Sequence, residues 1–161
     1  MELKSTDYAL LIQYVAQRRH LKTLSRTQIN KILFYVYGVY MAKHGNRLFS
    51  DDQPRAWPYG PVFPKVYKWA LTLPDELVKI PTDLADEFSQ NKSALEIVIK
   101  AVDAMCKMPA IALTRWSHQE GSPWYRTLYD NQEEGEQAPW NTPIKDELIK
   151  SYFSEPKNLF K

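Results

Sequence analysis

One stretch of the sequence limits the fold more than any other: Arg26–His44 has helical spacing, and its apolar residues leave almost no polar face. Ile29, Ile32, Leu33, Val36 and Tyr40 form one stripe, Phe34, Tyr37 and Met41 cover another side, and Tyr35 and Val39 lie between. A helix that is apolar nearly all round has to be buried on most sides. Ser25 and Gln28 match the capping-box pattern at its start, and Gly45 stands where a left-handed C-cap belongs. The expectation is a central helix, about 26–44, with the remaining elements packed around it.

Those elements can be read from periodicity and punctuation. Tyr8, Leu11, Ile12 and Val15 predict a first helix over Asp7–Arg19, with Thr6 and Asp7 as cap residues. Leu48–Trp57 reads as two short extended arms joined by the polar turn Ser50–Gln53, with Pro54 keeping the second arm at a sheet edge. Pro58–Pro61 forces a turn, and Val62–Leu71 reads as a helix whose first turn holds Pro64. A short helical piece is expected near Asp83–Phe88. A strongly periodic helix follows over Lys92–Met108, with Leu95, Val98, Val102 and Met105 facing inward, and another runs from Ala110 to His118. Trp124–Tyr129 adds one or two turns. The polar run Asn131–Gln137 reads as an exposed loop, and Thr142-Pro143 as the cap of a last helix ending near Phe153. The fold class is therefore mostly α: a single compact helical domain over 1–161, with a small β-hairpin or extended pair near 47–58 and a frayed tail at 154–161. A length of 161 residues suits one domain.

Composition removes several classes of function. The single cysteine, Cys106, cannot form an intramolecular disulfide and reads as a small buried hydrophobe. Met1–Asp7 lacks the pattern of a secretory leader, and no apolar run approaches the ~20 residues that span a bilayer. The expected location is the cytoplasm. With 21 basic and 19 acidic residues, the charge is too balanced to demand a nucleic acid or an anionic membrane as partner.

Catalytic chemistry is equally short of candidates. His20, His44 and His118 are not spaced with one another or with Cys106 as metal ligands, so no metal is expected. Five dispersed glycines write no phosphate-binding loop, and the adjacent pairs Asp51-Asp52 and Glu133-Glu134 read as turn-solvating carboxylates. No catalytic residue and no cofactor is nominated, and the chain does not read as an enzyme. A DNA-binding regulator is the alternative, because two helices joined by a short turn carry Arg18, Arg19, Lys22, Arg26 and Lys31 nearby. A recognition helix must keep one polar face free, and beyond Lys31 the second helix offers almost none.

What remains is an aromatic and proline-rich segment. Trp57, Tyr59, Pro61, Phe63, Tyr67 and Trp69 fall within a short span just after Arg55. Aromatic rings and arginine anchor protein interfaces because they bury much area with few rotatable bonds. Tyr67 and Trp69 are expected to face inward, with Arg55 and Tyr59 presented.

This segment, Arg55-Ala56-Trp57-Pro58-Tyr59-Gly60-Pro61-Val62-Phe63-Pro64-Lys65-Val66-Tyr67, resembles the W-x-Y-G-P-V-x-x-x-x-Y signature of the Panacea domain, the SocA-like antitoxin family. Lys31–Tyr35 resembles that family's K-L-L-Y-F helix. Gly45–Phe49 resembles its G-x-P-L-F run, with Arg47 in the usual place of proline. Ser117–Trp124 resembles its S-H-x-x-x-P-W element. The resemblance implies an antitoxin that binds and suppresses a cognate protein toxin encoded beside it. Within the family the toxins are of many unrelated kinds, a relative acts as an adaptor to an AAA+ protease, and phage-associated members imply a prophage setting. The partner-binding residues it nominates are Arg55, Trp57, Tyr59, Pro61, His118 and Trp124. His118 and Pro123-Trp124 are expected to lock against the Trp57 turn.

Overall fold

A computed structural model describes the whole chain, Met1–Lys161. Eight helices and a small antiparallel sheet make up the fold: α1 (Ser5–His20), α2 (Arg26–His44), β1 (Arg55–Trp57), β2 (Gly60–Val62), α3 (Pro64–Ala70), α4 (Thr82–Gln90), α5 (Lys92–Met105), α6 (Ala110–Ser117), α7 (Pro123–Tyr129), β3 (Thr142–Pro143) and α8 (Asp146–Phe153). The fold is mostly helical, and α2 is its axis. Every residue from Gln28 to Gly38 is buried. Helices α1, α3, α5, α6 and α8 and strand β2 all pack on it.

The ends of α2 are set by local chemistry. The Gln28 amide donates to Ser25 Oγ at 3.2 Å and the Ser25 amide donates to Gln28 Oε1 at 2.9 Å, so each satisfies a donor that the helix leaves open. Gly45 takes φ +78° and returns its N–H to the Met41 carbonyl at 2.8 Å. Within the helix, Gly38 makes room for α8: a Cβ there would lie 2.0 Å from Phe153 Cδ2. One apolar cluster runs from Tyr8 in α1 through α2 and α5 to Phe153 in α8, and Cys106 is buried within it.

Several boundaries differ from the sequence expectation. The hairpin lies later than 47–58: its arms are Arg55–Trp57 and Gly60–Val62, joined by Pro58-Tyr59, with Arg55 opposite Val62 and Trp57 opposite Gly60. Strand β1 is central rather than an edge, because Thr142-Pro143 pairs with its other side. That pairing also corrects Thr142-Pro143 as a helix cap. The last helix starts at Asp146, and Ile144 reaches back to donate its N–H to the Pro54 carbonyl.

The Lys92 helix stops at Met105, and α3 starts at Pro64 rather than Val62 because Pro61 and Val62 belong to the sheet. Asp51 and Asp52 do not merely solvate a turn. Asp51 accepts the Ser5 amide at the start of α1, while the buried Asp52 carboxylate accepts the Lys65 and Val66 amides at the start of α3. After a 3₁₀ turn at Pro156–Asn158 the C-terminal tail comes back to α2, where the Phe160 amide donates to Tyr35 Oη at 3.0 Å.

Candidate functional site

The residues nominated from sequence gather around the hairpin turn. Pro58 and Tyr59 stand at its tip, exposed, with Tyr59 75 % accessible. Gly60 behind them has φ +117°, a conformation that side chains rarely adopt. Space makes the same demand: a Cβ on Gly60 would come within 2.6 Å of Ser117 Oγ and 2.9 Å of Lys31 Cε. The turn lies this close to α2 and α6 only because its residue is glycine.

Lys31 is the support below. It is 1 % exposed, and its ammonium donates to the Pro61 carbonyl at 3.3 Å. Burial pulls its pKa down to about 8. Next to it in sequence, Asn30 Oδ1 accepts the Phe63 amide at 2.9 Å, so two adjacent residues of α2 hold β2 and its C-terminal neighbour.

On the opposite side, the Trp124 indole donates to the Trp57 carbonyl at 2.7 Å, and the His118 ring stacks on Trp124 with centroids 3.9 Å apart and planes 8° from parallel. Ser122 fixes both neighbours: its hydroxyl donates to the Ser117 carbonyl at 2.9 Å and accepts the Tyr125 amide at the start of α7. His118 Nε2 is buried without a partner. The imidazole pKa is lowered, first by burial and then by the Lys31 charge, with the Tyr59 backbone opposing. This ring favours its neutral form, as suits a face stacked on an indole.

The third support is the loop before β3. Trp57 Nε1 donates to Asn141 Oδ1 at 2.9 Å, Arg55 donates to the Asn141 carbonyl at 3.0 Å, and the Asn141 amide donates to the Ala56 carbonyl at 2.8 Å. Asn141 sits at φ +73°, a conformation asparagine tolerates better than most residues. Tyr67 packs edge-on to Trp57 with centroids 5.2 Å apart.

Of the six nominated residues, Tyr59 is exposed. Arg55 and Trp57 are half-buried and tied to Asn141, Pro61 is buried over Lys31, Trp124 is 6 % exposed, and His118 stacks beneath the turn. Arg55 is thus held along the sheet rather than freely presented. Tyr67 and Trp69 are half-buried, and Val66 takes the fully inward position of α3. Lys31, Asn30, Ser117 and Asn141 were absent from the sequence nomination. Lys31 did carry a signal, as the one cation inside the apolar run Ile29–Val39. Asn141 carried none, because its partners are more than eighty residues away.

The Lys31 helix, the Trp57–Pro61 turn and the Ser117–Trp124 element therefore converge on one place. Gly45–Phe49 joins indirectly, through Phe49 packed against Phe63 with centroids 5.3 Å apart. A family model described as antitoxin SocA-like, Panacea domain, matches residues 29–125, more than half of the chain. The chain belongs to that family, and its role is accordingly of the antitoxin kind. No curated protein and no solved structure matches it. No helix is long and apolar enough to cross a membrane.

Proposed function

We propose that this chain neutralises a cognate protein toxin by direct, stoichiometric contact centred on the Trp57–Gly60 turn. The observation that carries the reading is the combination of an exposed Tyr59 with a turn backbone held from α2, α7 and the loop before β3. An aromatic ring presented on a fixed backbone costs little ordering on binding, which is how a small surface yields useful affinity. In this reading Tyr59 makes contact, Trp57, Pro61, His118 and Trp124 position it, and Arg55 secures the Asn141 loop. The chain acts as one unit over 1–161, in the cytoplasm, without a cofactor, metal or covalent step. The same contact would serve handover of the bound toxin to an AAA+ protease, and a prophage setting accords with the family.

The alternative, a DNA-binding regulator using α2 as a recognition helix, has the short α1–α2 turn and its basic residues in its favour and the burial of α2 against it. Gln28–Gly38 is buried throughout, Arg19 is engaged by Asp103 at 2.7 Å, and Arg18 donates to the Val78 carbonyl. A groove-reading helix needs an open face.

The test is co-expression with the product of the adjacent gene, scored by growth. The native chain restores growth, and Tyr59→Ala, with an unchanged circular dichroism spectrum, restores it at least tenfold less efficiently, on the order of a single interface anchor. No rescue by the native chain would end the toxin reading, and full rescue by Tyr59→Ala would remove the turn as its contact.

A further inference from the structure

Beside the turn, a basin of about 400 Å³ opens between the start of α2 and the hairpin. Arg26, Asn30, Lys31, Trp57, Tyr59 and Tyr67 line it, and no Asp or Glu does. Arg26 lies over the Tyr67 ring at 4.9 Å and forms no ion pair. Lys31 is the more telling residue. Its ammonium carries three donors, the Pro61 carbonyl takes one at 3.3 Å, and no carboxylate balances the charge. A buried cation with so little compensation is costly, and an arriving anion would relieve that cost.

The chemistry of the walls narrows the anion. A phosphate cradle is built from successive free backbone amides or several forked arginines. Here the Gln28 amide is already taken by Ser25, and the turn contributes carbonyls and rings instead. Two separated cations among three aromatic rings suit a small planar anion carried on an apolar stem.

We propose that this basin receives a carboxylate borne by a segment of a protein partner, with Lys31 and Arg26 as its cationic contacts and Trp57, Tyr59 and Tyr67 enclosing its stem. The inference rests on the toxin-contact reading for the partner's identity, but the chemistry of the basin stands apart from it. The carboxylate is supplied either by an acidic side chain or by a chain end.

The experiment is a titration of the full chain near pH 7, followed by backbone amide and Lys31 side-chain resonances. The probes are N-acetyl-phenylalanine (chain-end carboxylate) and N-acetyl-glutamate N-methylamide (side-chain carboxylate), each against its neutral amide, together with inorganic phosphate. At least one acid should give saturable shifts at 26–31 and 57–62 and bind about tenfold or more tightly than its amide. Which acid does so identifies the source. Lys31→Met should lose about tenfold or more, and Arg26→Gln, at an exposed position, should lose several-fold with the rest of its spectrum unchanged. If Lys31→Met does not fold, the acid-to-amide ratio and Arg26→Gln decide.

Acids that bind no better than amides, that shift other residues, or that bind Arg26→Gln undiminished would overturn the proposal. So would tighter binding of phosphate. Acid-selective binding by a chain that rescues no toxic neighbour would overturn the toxin reading and leave the basin standing. Rescue without acid-selective binding would do the reverse.

Discussion

Two short segments lie across α2, the hairpin turn at its Lys31 end and the C-terminal tail near Tyr35, and they are held differently. The turn is fixed by directional bonds: Lys31 to the Pro61 carbonyl, Asn30 to the Phe63 amide, Trp124 to the Trp57 carbonyl and Asn141 to the Ala56 carbonyl. The tail has one bond to α2, from the Phe160 amide to Tyr35 Oη, and one to α8, from the Asn158 side chain to the Tyr152 carbonyl at 2.8 Å; otherwise it rests on rings. Phe160 packs against Tyr35 at 5.3 Å and Trp116 at 5.6 Å, beside an apolar groove of about 550 Å³ that includes Val39, Ile97 and Ala104. Directional bonds select one backbone geometry, whereas ring packing accepts several. The difference makes the turn the more tightly specified of the two, as the proposed partner contact requires, and leaves the tail as a cover over the groove.

The largest test of that contrast is Gly60→Ala. It places a Cβ at positive φ and against Ser117 and Lys31, and should cost about 4 kcal/mol by chemical denaturation, from strain and overpacking together. A cost below about 1 kcal/mol would mean that the turn yields, contrary to its description as fixed.

Lys31 gives the next effect, through pH. Its pKa falls from the usual 10.5 to about 8, so the folded chain releases this proton before the unfolded chain does. The burial cost is therefore full below pH 8 and is relieved as pH rises toward 10.5. Native stability should gain about 3 kcal/mol across that window relative to Lys31→Met. Tyr8 and Tyr37, pushed up to about 12 mainly by burial, act in the opposite sense above pH 10 and are common to both proteins. Parallel stability curves for the two proteins would show that Lys31 is not held as described.

Trp124→Phe keeps a ring for His118 to stack on but removes the bond to the Trp57 carbonyl together with part of the buried indole. About 1–2 kcal/mol should be lost, together with amide exchange protection around Trp57. Phe160→Ala is the smallest, about 1 kcal/mol for a half-buried ring, and the turn should not register it. A Phe160→Ala loss that exceeds the Trp124→Phe loss would reverse the comparison.

The sequence made α2 legible because its signals are local. Ser25, Gln28 and Gly45 act within one helix, and an apolar run without a polar face has only one resolution, which is burial. The turn at Pro58–Gly60 was legible for the same reason. Its strand partners were not, because β1 acquires its second neighbour from Thr142-Pro143, whose local pattern is indistinguishable from a helix start. The docking of the tail was hidden for the same reason: Leu159-Phe160 is too short to announce an element, and its contact is Tyr35, far away in sequence. At the candidate site, the aromatic members stood out by composition. The polar side chains that fix them did not, since Asn141 and Asn30 look ordinary until the chain is closed.

Hydrogen exchange of the chain with and without the adjacent gene's product tests the central claim most directly. New protection is expected at 55–62 and in the first turn of α2, with the tail at 154–161 unchanged. Protection confined to the tail and its groove, with the turn exchanging as in the free chain, would contradict it.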